Sequence, residues 1–359
     1  MSKFAFFCDS LARGGAERVT IALSRFICDQ GEECVVVTGR KLAQEYSVGK
    51  HIKRINLSDG NIPRYRFIPK LRKVFIHEDI ETVIAMGAAD SLAVIIACIG
   101  LKTKVIVSER NDPNQVRGKR FIKIISQFMM RFADGFVFQT KDAKEYYKKI
   151  TGGRGVVIPN PILADNLESY SMCSQTDGNI VAVGRLTEQK NHKLLIRAFY
   201  LISSKYPACN MYIYGEGALR KELEQYIRSL HLENRVYLPG NQKNIFDKIS
   251  MASVFVMSSD YEGMPNALIE AMALGLICIS TDCPIGGPRE LITNGKNGFL
   301  VEVGNEVEIA NMIDFVLSNL DKMDELRKQA TIIKKSLNIN IIGKKWLDYI
   351  QDVSQRKSK

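Results

Sequence analysis

The chain has 359 residues, 46% hydrophobic and 25% charged, with a formal net charge of +11. That length favours two domains over one, and the composition is that of a globular protein, not a disordered or collagen-like one. The longest uncharged apolar run, residues 91–101, falls short of the ~20 residues a membrane-spanning helix needs. The first residues enter a strand without a secretory leader pattern.

In the first half, apolar runs at 3–8, 33–38, 82–85, 104–108, 135–139 and 155–158 read as strands. Amphipathic stretches at 16–30, 66–78, 91–99, 121–132 and 141–150 read as helices between them. Such alternation predicts a parallel, doubly wound sheet. Pro159-Asn160-Pro161 ends the series, and the polar stretch 164–179 reads as a linker. A second series follows, with strands at 180–183, 210–214, 236–238, 254–257, 278–281 and 298–301. Its helices are 192–206, 218–230, 244–251, 266–274, 288–291 and 306–320, and 341–353 carries Trp346 at helical spacing. The fold class is therefore α/β: two doubly wound parallel-sheet domains facing a cleft, with strand C-terminal ends toward the ligand.

The charge is uneven. Residues 1–164 hold 27 Lys/Arg and 16 Asp/Glu, whereas the remainder balances at 23 of each. Two segments without acids concentrate the excess: Arg64, Arg66, Lys70, Arg72 and Lys73, then Arg117, Lys119, Arg120 and Lys123. Both mix cations with aromatic and aliphatic residues, as a helix lying on anionic lipid does. A core-facing helix with a solvated basic face has the same pattern. No nucleic-acid motif accompanies the charge, so nucleic acid is not expected as a partner. Eight dispersed cysteines without a Cys-x-x-Cys pair read as reduced, packed thiols.

Residues suited to chemistry follow the strands. Gly14-Gly15-Ala16-Glu17 is a glycine turn opening a helix. Gly184-Arg185 and Lys190 follow an apolar strand, and two cations at that spacing can close on a diphosphate. Gly215-Glu216-Gly217 ends another strand. Glu262-Gly263-Met264-Pro265-Asn266-Ala267-Leu268-Ile269-Glu270 places two carboxylates around a helix start, because Pro265 suits a first turn. The backbone from Gly263 to Leu268 then offers N–H groups and a positive helix end to a phosphate, with a carboxylate for sugar hydroxyls. Gly-x-Gly-x-x-Gly is missing, which disfavours a nicotinamide dehydrogenase. The four histidines are dispersed and there is no Asp-x-Asp, so no metal site is expected.

Together with Gly286-Gly287-Pro288, these motifs in this order resemble the retaining glycosyltransferases of family 4, which have the GT-B fold. The resemblance covers nearly the whole chain and lies closest to the branch that builds bacterial surface polysaccharide on lipid carriers. It implies that Arg185 and Lys190 bind the donor diphosphate and stabilise its departure. It also implies that Glu262 contacts donor sugar or ribose, that Glu270 holds the ribose, and that Gly14 and Gly15 allow close approach. Gly184 and Gly215 would line the donor site, and the base would pack near Gly240 and Asn241. Many relatives carry a histidine after the fourth or fifth strand. This chain has Ser108-Glu109-Arg110-Asn111, so Glu109, Arg110 and Asn111 are expected to touch sugar or acceptor, Arg110 meeting an acceptor diphosphate.

The implied organisation is an acceptor-side, membrane-facing domain at 1–163, a linker at 164–179, a nucleotide-sugar domain at 180–340, and a helix at 341–359 crossing back. The implied activity moves a hexose or N-acetylhexosamine from a UDP-sugar to a polyprenyl-diphosphate saccharide. It needs no cofactor or metal, and it takes place in the cytoplasm on the inner face of the plasma membrane. A UDP-sugar 2-epimerase of the same fold and a non-catalytic basic membrane or nucleic-acid-binding protein are the alternatives.

Overall fold

The two strand series build two parallel sheets. The computed structural model describes residues 2–12, 14–43, 45–60, 62–115, 120–163, 167, 170 and 176–356, with backbone only at 88–89 and 120–123. The chain divides into two units, Met1–Leu163 with Leu337–Lys359, and Ala164–Ser336. Most of the stretch expected as a linker, 164–166, 168–169 and 171–175, lies outside the described residues.

The first unit holds strands β1 (Lys3–Cys8), β2 (Glu33–Thr38), β3 (Lys53–Asn56), β4 (Thr82–Met86), β5 (Lys104–Ser108), β6 (Gly135–Phe138) and β7 (Val156–Val157). They pair in the order β3-β2-β1-β4-β5-β6-β7, every pair parallel. Helices α1 (Gly15–Asp29), α2 (Phe67–His77), α3 (Ala88–Cys98), α4 (Arg120–Met129) and α5 (Lys141–Thr151) connect them. Parallel strands are covered on both faces, so they read as continuous apolar runs. Phe4, Ala5, Phe6 and Phe7 of β1 are all buried accordingly. β3 is the strand that the sequence does not announce: Lys-Arg-Ile-Asn is polar, and its half-exposed edge position asks for no apolar run.

The second unit holds β8 (Ile180–Val183), β9 (Met211–Tyr214), β10 (Val236–Gly240), β11 (Val254–Met257), β12 (Ile277–Thr281) and β13 (Phe299–Val301), in the order β10-β9-β8-β11-β12-β13. Its helices are α6 (His192–Ile202), α7 (Arg220–Ser229), α8 (Ile245–Ile249), α9 (Asn266–Leu274), α10 (Gly287–Leu291), α11 (Glu306–Leu317), α12 (Asp324–Thr331) and α13 (Ile333–Ser336). Its core gathers apolar residues from α6, α7, α11 and the strands, among them Phe199, Ile213, Val256 and Ile313.

Each sheet has one point where strand order reverses, between β1 and β4 in the first and between β8 and β11 in the second. Loops leaving such a pair diverge to opposite faces and open a crevice at the strands' C-terminal ends. α14 (Ile339–Gln355) returns to the first unit. Its buried Ile342, Trp346, Leu347, Ile350 and Val353 form one helical stripe. Gly343 lets it approach α1 closely, since a Cβ there would lie 2.5 Å from the Phe26 ring. The Phe136 N–H donates to the Tyr349 hydroxyl at 2.9 Å.

Candidate active site

In the second unit, the loops from the β8/β11 reversal carry the predicted cluster. After β8 the chain enters a 3₁₀ turn at Glu188–Lys190, and Asn191, at φ 42°, caps α6. Lys190 folds back over Gly184, where a Cβ would lie 3.2 Å from its Cδ. Gly184 is in turn pinned by Gly215 (φ 140°), whose Cβ would lie 1.9 Å from the Gly184 carbonyl oxygen. Gly215 therefore serves first to let two strand ends touch. Its N–H donates to the carbonyl of Gly240 at 3.0 Å, and exposed Asn241 follows.

Lys190 Nζ meets Glu262 Oε1 at 2.5 Å, with the two side chains 15% and 9% exposed. Ser259 Oγ donates to the same oxygen at 2.7 Å. Gln189 Nε2 donates to the Tyr261 carbonyl at 2.9 Å and stands 3.5 Å from Glu262 Oε2. The Glu262 main chain is stitched to the next loop: its N–H donates to Pro284 O at 2.8 Å, and its carbonyl accepts from Ile285 at 3.1 Å. Removing one member of such a buried pair strands the other charge, at a cost of ~3–5 kcal/mol. Arg185 differs: its side chain is exposed and forms no ion pair with the described residues. Among the described residues, no group of three or more His, Cys, Asp or Glu is placed to hold a metal.

Pro265 is the N-cap of α9, one residue earlier than a first-turn proline. Gly263 and Met264 lead into it, and Asn266, Ala267 and Leu268 form the first turn. Glu270 lies on the second turn, buried among Leu268, Ile269, Ala271 and Met272. A positive helix end is thus bracketed by two buried carboxylates, with one cation held at Glu262 and another exposed. The sequence reading missed Ser259, Gln189 and His192. Ser259 and Gln189 flank the motif within three residues of Glu262 and Arg185-side Lys190, but their pairing needs the folded loop. His192, the first residue of α6, is buried, and burial with the nearby Lys190 charge lowers its pKa to about 4.

In the first unit, the β1/β4 reversal gathers a mixed-charge group that the sequence reading also missed. Asp9 follows β1, and Asp90 lies in the first turn of α3. The Asp9 N–H donates to Asp90 Oδ2 at 3.2 Å, and Arg40 pairs with Asp9. Burial raises the Asp90 pKa to about 7, against the pull of Arg64. Arg64 itself stands 3.6 Å from both Asp9 Oδ2 and Asp90 Oδ1, so its charge is directed to this group.

Gly14 caps α1 with extended backbone, and Gly15 is the helix's first residue. The space beside Gly14 is occupied by Glu17, whose Oε2 lies 2.3 Å from where a Cβ would stand. The protein's own carboxylate thus sits at the α1 N-terminus. Beyond β5 stands Glu109, expected to touch sugar or acceptor. Its carboxylate is buried and accepts from the Arg110 N–H at 2.9 Å, the Asn111 N–H at 3.2 Å and the Tyr147 hydroxyl at 2.9 Å. Burial holds its pKa up. It shapes the loop that carries Arg110 and exposed Asn111.

The predicted membrane residues divide. On α2, Phe67, Leu71 and Phe75 face the core. Lys70 donates to Leu57 O at 2.6 Å, and Arg72 to Ala97 O and Ile99 O at 3.0 and 2.7 Å. Arg66 and Lys73 are exposed. Arg117 and Lys119 lie outside the described residues, and Arg120 and Lys123 fall on α4. That helix and the turn after it expose Ile124, Phe128 and Phe132 at 56, 54 and 62%. No helix among the described residues is long and apolar enough to cross a membrane.

Comparison with known proteins finds two families side by side: "Glycosyltransferase Family 4" over residues 13–165 and "Glycosyl transferases group 1" over 174–332. The chain is 27% identical, over 98% of its length and 99% of the relative's, to a Campylobacter jejuni protein. That relative is named GalNAc-alpha-(1->4)-GalNAc-alpha-(1->3)-diNAcBac-PP-undecaprenol alpha-1,4-N-acetyl-D-galactosaminyltransferase. It is 36% identical to an uncharacterized Methanocaldococcus jannaschii glycosyltransferase, MJ1059, over 54% of this chain and about half (52%) of that relative's length. Among solved structures, Anabaena Alr3699/HepE in complex with UDP and glucose matches with a TM-score of 0.84 at 18% identity, over 98% of this chain and 100% of that one.

Proposed function

Because the chain belongs to the family 4 glycosyltransferases and has their GT-B fold, we propose that it moves a hexose or N-acetylhexosamine from a UDP-sugar to a lipid-linked saccharide in surface polysaccharide synthesis. The observation that carries this reading is the α9 N-terminus bracketed by Glu262 and Glu270, with Lys190 held at Glu262. A diphosphate takes the helix end and the two cations, and Glu270 takes the ribose hydroxyls through charge-assisted bonds worth ~1.5–3 kcal/mol each. The complex of Alr3699/HepE with UDP supports the choice of nucleotide. The undecaprenyl-diphosphate acceptor in the Campylobacter relative's name supports the choice of acceptor class.

The reaction retains configuration and uses no metal. The bond from the sugar's anomeric carbon to the β-phosphate oxygen breaks, and a bond to the acceptor hydroxyl forms on the same face. The hydroxyl's proton passes to the departing phosphate. Arg185 and Lys190 offset the charge that develops there, which is the largest help a fixed site gives. Lys190 exchanges its Glu262 partner for phosphate, leaving Glu262 to accept from sugar hydroxyls. The enzyme works peripherally on the cytoplasmic membrane face. The exposed apolar residues 124, 128 and 132 beside the acid-free segment 117–131 support that location.

The test is calorimetric titration with UDP-, GDP- and ADP-sugars, using Lys190→Ala and Glu270→Ala. One UDP-sugar binds the wild type and loses at least ~10-fold in affinity in each variant. Unchanged binding by both variants places the donor elsewhere and refutes the reading.

A further inference from the structure

Arg110 is a charge that the described structure does not account for. It follows β5, next to the pair of strands where the first sheet reverses. Its Nε, Nη1 and Nη2 are all buried, and none donates a hydrogen bond to a described residue. A guanidinium carries five N–H donors in a planar fork and stays charged in proteins. Burying one without acceptors is among the costlier things a fold can do. Two acidic neighbours, Glu109 and Glu17, act on it as charges at a distance, and burial still lowers its pKa to about 10. Glu109 gives no acceptor to the guanidinium, because both its oxygens serve Tyr147 and the loop amides.

The loop is built to hold this side chain there. Glu109 fixes the backbone of Arg110 and Asn111, and Tyr147 of α5 holds Glu109 from behind. Asp112 closes the loop by accepting from the Asn114 N–H at 2.9 Å. Glu109, Tyr147 and Asp112 thus hold the loop that carries one cation to which the described protein supplies no acceptor. A feature that costs stability and is held rigidly belongs to ligand recognition, not to packing.

We propose that Arg110 is a diphosphate ligand, gripping phosphate oxygens with its fork, and that Glu109 and Tyr147 are its positioning residues. The inference rests on the glycosyltransferase reading, in which both substrates carry a diphosphate: the nucleotide of the donor and the lipid link of the acceptor. The shared chemistry is the same, and the two sources separate in solution.

The experiment compares the full-length wild type with Arg110→Met, titrating UDP and, separately, geranyl diphosphate in detergent, alongside thermal melts. The variant keeps the side chain's reach and removes the charge. Its Tm without ligand rises by about 3 °C or more, because an uncompensated buried cation is gone. Affinity falls at least ~10-fold for one titrant. Loss for UDP assigns the donor diphosphate. Loss for geranyl diphosphate, with UDP unchanged, assigns the acceptor link. A variant that melts lower and binds both titrants as the wild type does makes Arg110 a packing residue and overturns the proposal. A wild type that binds UDP through Lys190 and Glu270 while Arg110→Met binds both titrants unchanged sinks this inference alone. A wild type that binds neither titrant sinks the transferase reading with it.

Discussion

Gly287→Ala tests how the site loop is held. Gly287 opens α10, and a Cβ on it would lie 1.7 Å from the carbonyl oxygen of Gly263 and 3.1 Å from Pro265 Cδ. Carbon and carbonyl oxygen tolerate about 3.3 Å at closest, so the two backbones must part by roughly 1.5 Å. Neither side yields cheaply. Gly263 adjoins Glu262, whose backbone is bonded on both sides to the Pro284–Ile285 segment. Overpacking of this kind costs about 1–3 kcal/mol, and a unit of this size loses ~2–4 °C of Tm per kcal/mol. The larger effect falls on chemistry. A shift on the order of 1 Å at the reacting centre costs about 10²-fold in rate. The assay is initial-rate transfer of sugar from the donor identified by calorimetry, with Gly60→Ala as control, since a Cβ at Gly60 meets nothing within 4 Å. The expected result is a Gly287→Ala enzyme that folds, melts a few degrees lower and has lost about 10²-fold in kcat/KM. Turnover within about twofold of wild type at an unchanged Tm would refute the claim that this contact sets the position of Glu262.

His192 gives a pH test. Its folded pKa of about 4 lies below the ordinary histidine value, so the folded protein keeps the ring neutral. The associated stability is complete above pH ~6.5 and is lost as pH falls toward 4, up to about 3 kcal/mol. Melts at pH 7.5 and 5.0 should therefore differ less in His192→Gln than in the wild type, and an unchanged difference rejects the assignment. Tyr349→Phe removes the acceptor of the buried Phe136 N–H. It should destabilise the first unit by about 1–3 kcal/mol while leaving UDP affinity unchanged, read by denaturant titration and calorimetry.

Most strands were legible because parallel strands bury both faces, and runs such as Phe4–Phe7 or Val254–Met257 have no other use. α12 was missed for the opposite reason: Asp-Glu-Leu-Arg-Lys-Gln-Ala-Thr buries only Leu326, Arg327 and Ala330. The motifs located the loops but not the direction of their side chains. Glu109 shows this best. As a letter in a Ser-Glu-Arg-Asn element it suggests a ligand contact. In the fold its carboxylate is bonded within its own loop and to Tyr147. Which atoms a carboxylate finds depends on Tyr147, 38 residues away, and local spacing cannot encode that.

The return of α14 to the first unit has a consequence for biosynthesis. Residues 1–163 leave the ribosome before α14 does, and so carry α1 without the helix that covers it. Phe26 waits for Gly343, and the Phe136 amide waits for the Tyr349 hydroxyl, until the whole intervening unit has been made. At ~5–20 residues per second that delay lasts roughly 10–40 s. The second unit can complete itself during that interval, so the first unit, begun earlier, closes only after the second has been made. The nascent chain offers chaperones an apolar surface on α1 for the whole of it.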